Sequence, residues 1–266
     1  MDYTAALRCA RLSKEVYQSF SLEPRFSIGA SLVPELIEIA VTDTQLAIIP
    51  DSNQDIGYIV FRGSNAEQDW LTNFDFNQRS YEWSNRSKAA YREAVSDAAV
   101  QVIRNREMTY PSAYAPTSKP IKMHSGFVNA YLSARDRVHD AVKRSGLSRW
   151  LITGHSLGGA LANLCGLDLQ YNFSPDVVPQ VYTFGAPKVG NGAFVDSYNE
   201  RVPDTFRFVY GNDLVSGLPR WWQGYRHVSE KITLEGRFNW RIFSGSFKDH
   251  RIDNYVSAIN KLASQD

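Results

Sequence analysis

The stretch WLITGHSLGGALA, residues 150–162, decides the fold of this chain. Its apolar start, Trp150–Thr153, predicts a buried strand, and the apolar run from Leu157 to Tyr171 predicts a helix that follows almost without a gap. Between them, GHSLG matches the pattern G-x-S-x-G of a strand–turn–helix elbow. We expect a tight, strained turn that projects Ser156 as a nucleophile. The rest of the elbow is formed by Gly154, His155 and Gly158.

Further strands and helices alternate on both sides of this stretch. Strands are predicted within 36–49 and at 56–62, 181–184 and 206–210, and helices at 86–106, 127–142 and 253–262. Such alternation favours an α/β fold, a mostly parallel sheet covered by helices on both faces. Right-handed crossovers then place the carboxyl ends of the strands at one edge. We predict one domain over residues 1–266, with a helical insertion at about 77–120.

Composition excludes several other classes of protein. A formal net charge of +1 over 266 residues predicts no nucleic-acid partner. The first twenty residues carry charges and lack the apolar core of a signal peptide, which favours a cytoplasmic or membrane-peripheral location over a secreted mature form. The two cysteines, Cys9 and Cys165, have no metal-ligand spacing, so we expect no metal and no other cofactor. The sequence does not indicate an oligomeric state.

The acid that supports such a nucleophile should stand on a turn after a later strand, because the order in elbow folds is serine, acid, histidine. Asp213 meets both conditions, since it follows the predicted strand 206–210. Asp196 lies in a predicted helix, and Asp176 and Asp204 precede their strands, at the wrong edge. A turn aspartate can also simply cap its own backbone, and this is the alternative for Asp213.

The chain has five histidines, and four are poor candidates for the general base. His124 and His139 precede the nucleophile, and His155 lies inside the elbow. His227 falls in an alternating stretch, 225–234, that predicts a strand and a structural role for this histidine. His250 remains, in a loop just before the last predicted helix. We predict that it takes the proton of Ser156 while Asp213 fixes its tautomer.

Two backbone N–H groups are expected to bind the oxyanion that develops during attack. One belongs to Leu157, the residue after the nucleophile. The other should come from a turn after an early strand, and Ser64 follows such a strand directly after Gly63. Ser64 can also cap a helix over 67–74, and the two roles are compatible.

A set of longer motifs contains all these residues. In chain order they are IVFRGS (59–64) with Asp69-Trp70 close behind, HSGF (124–127), ITGHSLGGALA (152–162), YTFGAPKVGN (182–191), YGNDLVSGLP (210–219) and DH (249–250). With these motifs the chain resembles the class 3 lipases, the family that includes the fungal triacylglycerol lipases, over roughly residues 35–260. The resemblance implies an α/β-hydrolase fold, a triad of Ser156, Asp213 and His250, and oxyanion donors at Ser64 and Leu157.

Two features depart from the family pattern: a longer segment between Ser64 and His124, and the lack of a secretion leader. In the secreted fungal enzymes a short helical lid follows the oxyanion serine. Here a three-residue apolar stripe could form the lid or the acyl site, or it could be core while the insertion covers the site; its spacing favours core. The stripe consists of Trp70, Leu71 and Phe74.

We therefore predict a serine carboxylester hydrolase, most simply a lipase that cleaves acylglycerol esters. A phospholipase A1, a galactolipase or a feruloyl-type esterase would use the same scaffold. A non-catalytic lipase-like binding protein would typically lose part of the triad, and here every element is present. Aromatic and basic residues interleave between 220 and 248, which suggests transient contact with a lipid interface; two strands with buried aromatic residues are the alternative.

Overall fold

The computed structural model of the chain describes residues 2–22, 24–28, 32–64, 121–219, 224–235 and 246–265, and its elements are numbered within these ranges. The helices are α1 (Tyr3–Glu15), α2 (Ser125–Ser145), α3 (Leu157–Phe173), α4 (Gly192–Arg201), α5 (Ser246–Asp249) and α6 (Ile252–Ala263). The strands are β1 (Glu35–Ile39), β2 (Thr44–Asp51), β3 (Ile56–Phe61), β4 (Arg149–His155), β5 (Val178–Phe184), β6 (Gly190–Asn191), β7 (Thr205–Tyr210), β8 (Tyr225–Arg226) and β9 (Lys231–Leu234).

The main sheet has seven strands in the order β1-β2-β3-β4-β5-β7-β9. β2 is antiparallel to both of its neighbours, β1 and β3, whereas β3, β4, β5, β7 and β9 run parallel. The register pairs Phe61 at the end of β3 with Gly154 at the end of β4, and Phe184 at the end of β5 with Phe208 in β7. The loops that carry the predicted site residues therefore leave the sheet at one edge, as predicted.

Helices cover both faces of this sheet. On one face, α1 and α6 pack over a core that contains Phe184, Phe208 and Tyr255; on the other, α2, α3 and α4 enclose a core around Trp150 and Leu161. β4 is buried from Trp150 to His155, because both of its faces are covered. None of the described helices is both long and apolar enough to cross a membrane.

The helix α1 was not predicted. Asp2 caps it by accepting a hydrogen bond from the Ala5 N–H (3.0 Å), and its buried face is made mostly of small residues: Ala6, Cys9, Ala10, Leu12 and Ser13. Such a face gives a weak apolar signal in the sequence. Lys14 of α1 forms an ion pair with Asp253 of α6 (2.7 Å), so the first and last described helices lie side by side.

The strand predicted over 225–234 is wrong as a single element. Two short strands, β8 and β9, stand there and belong to different sheets. Ser229 between them has φ of 55°, a left-handed conformation that interrupts an extended chain. The other predicted strands and the helices at 127–142 and 253–262 are present, with ends shifted by one to three residues. The predicted helix over 86–106 and the insertion at 77–120 lie outside the described residues.

A charged cluster is buried between α2 and α3. Asp168 is fully buried and accepts hydrogen bonds from Tyr131 (2.6 Å), from Arg135 (3.0 Å) and from Nε2 of His139 (2.6 Å). Burial alone would raise the pKa of Asp168, but the bond to His139 and the charges of His139 and Arg135 outweigh it and lower that pKa. The cluster ties the two helices together on the face away from α1. Cys9 and Cys165 are free, buried thiols on opposite faces of the sheet.

Candidate active site

Ser156 stands on a sharp turn between β4 and α3. Its backbone has φ of 57° and ψ of −128°, a combination that is strained for any residue with a side chain. A Cβ at Gly154 would collide with the backbone of Gly158, and one at Gly158 would collide with the carbonyl of Phe61 in the neighbouring strand. Strand β4, the turn and helix α3 therefore approach one another as closely as the G-x-S-x-G pattern predicted.

Asp213 follows β7 and uses its two carboxylate oxygens for different purposes. Oδ1 accepts the backbone N–H of Val215 (2.8 Å), which is the ordinary capping role of a turn aspartate. Oδ2 accepts Nδ1–H of His250 (2.7 Å) and the hydroxyl of Tyr255 (2.5 Å). The turn role and the role in an acid–base pair are therefore both present. The residue is 5% exposed, so little water weakens these bonds.

His250 lies between α5 and α6 and is 2% exposed. Because a carboxylate only accepts hydrogen bonds, the proton of the neutral ring sits on Nδ1, and Nε2 carries the lone pair. Within the described residues, Nε2 is buried and makes no hydrogen bond. The ring is thus held by Asp213 in the tautomer that a general base needs, with its basic nitrogen unoccupied.

Backbone contacts bring the elbow next to this pair. The N–H of Ser156 donates to the carbonyl of Phe184 (3.0 Å). At the next residue, Gly185, an added Cβ would lie 2.5 Å from Oδ2 of Asp213 and 2.9 Å from Nδ1 of His250. On the other side of Ser156, the rings of His155 and His250 have centroids 4.5 Å apart. Ser156, Asp213 and His250 therefore lie together at the same edge of the sheet.

The expected oxyanion donors flank the elbow. Leu157 is the first residue of α3, where a helical N–H has no partner within its own helix. Gly63 packs so closely on the elbow that an added Cβ would lie 2.8 Å from the carbonyl of His155, so the turn that leads to Ser64 lies against the elbow. Ser64 is half-buried, and the helix that it was predicted to cap lies outside the described residues.

Comparison with known proteins agrees with this geometry. The family model described as "Lipase (class 3)" matches residues 58–222, which include the elbow, the acid loop and the turn at Ser64. The chain belongs to the class 3 lipases.

Several curated relatives match this class 3 lipase. The secreted mono- and diacylglycerol lipase LIP4 of Malassezia restricta is 33% identical over 144 residues, which are 51% of this chain and 47% of the relative. The triacylglycerol lipase OBL1 of Arabidopsis thaliana is 32% identical over 226 residues, which are 77% of this chain and 40% of the relative. The chain thus spans less than half the length of these relatives.

Solved lipase structures share the fold. The Lip2 lipase of Yarrowia lipolytica superposes with a TM-score of 0.63 at 20% identity, over 87% of this chain and 78% of that one. Lipase II from Rhizopus niveus superposes with a TM-score of 0.62 at 21% identity, over 88% and 80%. The predicted α/β-hydrolase fold is confirmed.

The remaining histidines of this class 3 lipase have structural partners. His227 donates from Nε2 to the carbonyl of Ser216 in the acid loop (2.5 Å), and burial, aided by the charges of Arg207 and Lys188, lowers its pKa to about 3. His124 caps α2, and burial lowers its pKa to about 4. His139 belongs to the cluster around Asp168. None of the three contacts the Asp213–His250 pair through a described hydrogen bond.

Two tyrosines of the site were missed by sequence reasoning. Tyr255 in α6 donates to Asp213, and Tyr17, just after α1, bonds to His155. The only local sign of a role for Tyr255 was its position five residues after His250. The sequence around Tyr17 gave no sign of its contact with His155. The predicted lid or acyl-site residues Trp70, Leu71 and Phe74 lie outside the described residues. So do most of the aromatic and basic residues between 220 and 248, which fall at 220–223 and 236–245.

Proposed function

We propose that this class 3 lipase is a serine carboxylester hydrolase that cleaves acylglycerol esters through an acyl-enzyme on Ser156. The observation that carries the proposal is the buried Asp213–His250 pair beside the strained turn of the nucleophile. A carboxylate, an imidazole with a vacant basic nitrogen and a serine on an elbow form the set that acyl transfer requires.

Each residue has a role in the two halves of the reaction. Nε2 of His250 takes the proton of Ser156 as Oγ attacks the ester carbonyl, and Asp213 stabilises the imidazolium. The N–H groups of Leu157 and Ser64 bind the oxyanion; loss of one such donor typically raises the barrier by about 3 kcal/mol. His250 then protonates the leaving alcohol, and the acyl group stays on Ser156. Water, deprotonated by the same imidazole, attacks the acyl-enzyme and releases the fatty acid.

The acylglycerol substrate is supported by the names of the relatives. LIP4 of Malassezia restricta is a mono- and diacylglycerol lipase, and OBL1 of Arabidopsis thaliana is a triacylglycerol lipase. LIP4 and the lipase 1 of Fusarium solani are named as secreted, so these relatives give no support to the predicted cytoplasmic location. Transient contact with a lipid interface stays a prediction, and for Trp70, Leu71 and Phe74 the alternatives of core and of lid or acyl site stay open.

Active-site trapping tests the chemistry. A fluorophosphonate ester should label the wild-type protein at Ser156, and Ser156→Ala should abolish both labelling and ester hydrolysis. Ser197→Ala removes another buried serine, one in α4, and should leave both intact. Absence of labelling in the wild type, or hydrolysis that survives Ser156→Ala, would exclude the proposed nucleophile.

A substrate panel tests the specificity. Mono-, di- and trioleoylglycerol should be hydrolysed faster than phosphatidylcholine, galactolipid or a feruloyl ester presented at the same interfacial concentration. Faster turnover of one of the other three classes would replace the acylglycerol assignment and leave the serine hydrolase chemistry in place.

A further inference from the structure

The histidine inside the elbow, His155, is buried and forms two hydrogen bonds that the mechanism above does not use. His155 has no exposed surface. Its Nδ1 lies 3.0 Å from the hydroxyl of Tyr17, and its Nε2 lies 2.6 Å from the backbone carbonyl of His250. This series of hydrogen bonds therefore starts at Tyr17, just after α1, and ends at the backbone carbonyl of His250, the proposed general base.

The direction of both bonds follows from the chemistry of the groups. The carbonyl of His250 can only accept, so Nε2 of His155 must carry a proton and donate it. Burial, and then the nearby His250, lower the pKa of His155 well below its ordinary value, although the bond to the carbonyl acts in the opposite direction. The ring is therefore neutral, Nδ1 is the acceptor, and the hydroxyl of Tyr17 is the donor.

Tyr17 is held at this point from several sides. Its ring lies under the guanidinium of Arg62, with Cζ 5.8 Å from the ring centroid. Its hydroxyl occupies the place where a side chain at residue 63 would go, since a Cβ on Gly63 would collide with it. Tyr17 thus touches the turn before Ser64 and the elbow at once. The helix that precedes it is tied to the sheet by a separate bond from Arg8 to the hydroxyl of Tyr58 (2.8 Å).

We propose that Tyr17 and His155 are positioning residues for His250, a role that rests on the proposed function. The carbonyl of His250 selects the Nε2–H tautomer of His155, and Tyr17 donates to Nδ1 and so orients the ring. His155 in turn fixes the main chain of His250, so that the imidazole stays beside Asp213 and the elbow. The neutral state of His155 is also required, because a cation whose ring lies 4.5 Å from that of His250 would oppose the imidazolium that forms during attack. Without the Tyr17 hydroxyl, the buried Nδ1 of His155 would lose its donor, and the ring would lose one of the two bonds that orient it towards the carbonyl of His250.

The first test compares two tyrosine variants. Tyr17→Phe removes the donor to His155, and Tyr58→Phe removes the partner of Arg8 but leaves the elbow intact. For a soluble short-chain ester, we expect Tyr17→Phe to lower kcat about five- to tenfold with KM unchanged, the size of one aligning hydrogen bond. Tyr58→Phe should keep the wild-type kcat. Its melting temperature should fall by about as much as that of Tyr17→Phe, because each variant loses one hydrogen bond. Equal kcat values for the two variants would overturn the proposal.

The second test asks whether Tyr17 acts through His155. In His155→Gln, the side-chain amide can donate to the carbonyl of His250 without help from Tyr17, whereas His155→Leu has no donor. We expect His155→Gln to keep more of kcat than His155→Leu, and we expect Tyr17→Phe to cause no further loss in the glutamine background. A full additional loss there would refute the coupling. If His155→Leu does not fold, the glutamine background and the tyrosine pair still decide the outcome.

Fluorophosphonate labelling separates the two proposals. If the wild type is labelled at Ser156 and Tyr17→Phe reacts as fast as Tyr58→Phe, the positioning role fails and the hydrolase chemistry stands. If the wild type is not labelled, both fail.

Discussion

Gly185 offers a direct way to disturb the acid–base pair without replacing any residue of the triad. It has φ of 61°, and an added Cβ would lie 2.5 Å from Oδ2 of Asp213, 2.9 Å from Nδ1 of His250 and 2.9 Å from the hydroxyl of Tyr255. Ordinary contact begins at 3.4 Å, so in Gly185→Ala the carboxylate must move by about 0.9 Å. A misplacement of about 1 Å in a catalytic group typically reduces the rate about 100-fold.

Gly146 supplies the matched control. It has nearly the same backbone, with φ of 65°, at the end of α2, but nothing lies within 4 Å of an added Cβ. Both variants therefore share the strain of a left-handed alanine, about 1–2 kcal/mol, and only Gly185→Ala adds overpacking, about 1–3 kcal/mol more.

The assay is kcat/KM for a soluble ester, with unfolding followed in urea at the same pH. We expect kcat/KM to fall about 100-fold in Gly185→Ala and to stay within twofold of wild type in Gly146→Ala. Full activity of Gly185→Ala would show that the pair is not where the structure places it. A loss as large in Gly146→Ala would show that backbone strain, and not displacement of the pair, is responsible.

Three further outcomes are expected. Ser156→Gly and Ser156→Ala should both be inactive, but the glycine variant should be more stable by about 1 kcal/mol in calorimetry, because it relieves the strained φ of 57°; equal melting temperatures would contradict the strain. Asp168→Asn should lower the unfolding free energy by about 3–5 kcal/mol in urea, since it removes the buried carboxylate charge that pairs with Arg135, while the kcat of the folded fraction is kept. Unfolding free energy should also decrease as the pH falls below about 6.5, because the unfolded chain then binds a proton at His124. In the folded protein, half-buried His124 stays neutral until the pH approaches its lowered pKa of about 4. His124→Asn keeps a capping acceptor for the N–H of Phe127 and should reduce that decrease, between pH 7 and pH 5, by at most about 2 kcal/mol; an unchanged pH dependence would refute this reasoning.

The elbow could be predicted because independent signals agree at one place. A short apolar strand, two glycines and the abrupt change from strand to helix all point to Ser156, and the structure shows each of them. Asp213 and His250 followed from the order of the triad and from the rule that sites gather at the carboxyl ends of parallel strands. Their roles as acid and base stay proposals that the geometry supports.

The supporting residues could not be predicted, because their partners are remote in the sequence. Tyr17 meets His155 across 138 residues, and Tyr255 meets Asp213 across 42. Each lies in or beside a helix whose rotation and docking on the sheet are set by packing. For the same reason the alternation over 225–234 suggested a single strand, although the left-handed Ser229 divides it between two sheets.

The contact between α1 and α6 has a consequence for folding during synthesis. Synthesis makes residues 3–15 before residues 252–263, and at about 5–20 residues per second these events are separated by some tens of seconds. During that interval α1 has no partner for the surface that α6 will cover, and the main chain of His250 has not been made. We expect ribosome-bound chains that stop at residue 249 to resist fluorophosphonate labelling, and labelling of such chains would refute this. A nascent chain would then be unable to react with an ester until α6 has packed against α1.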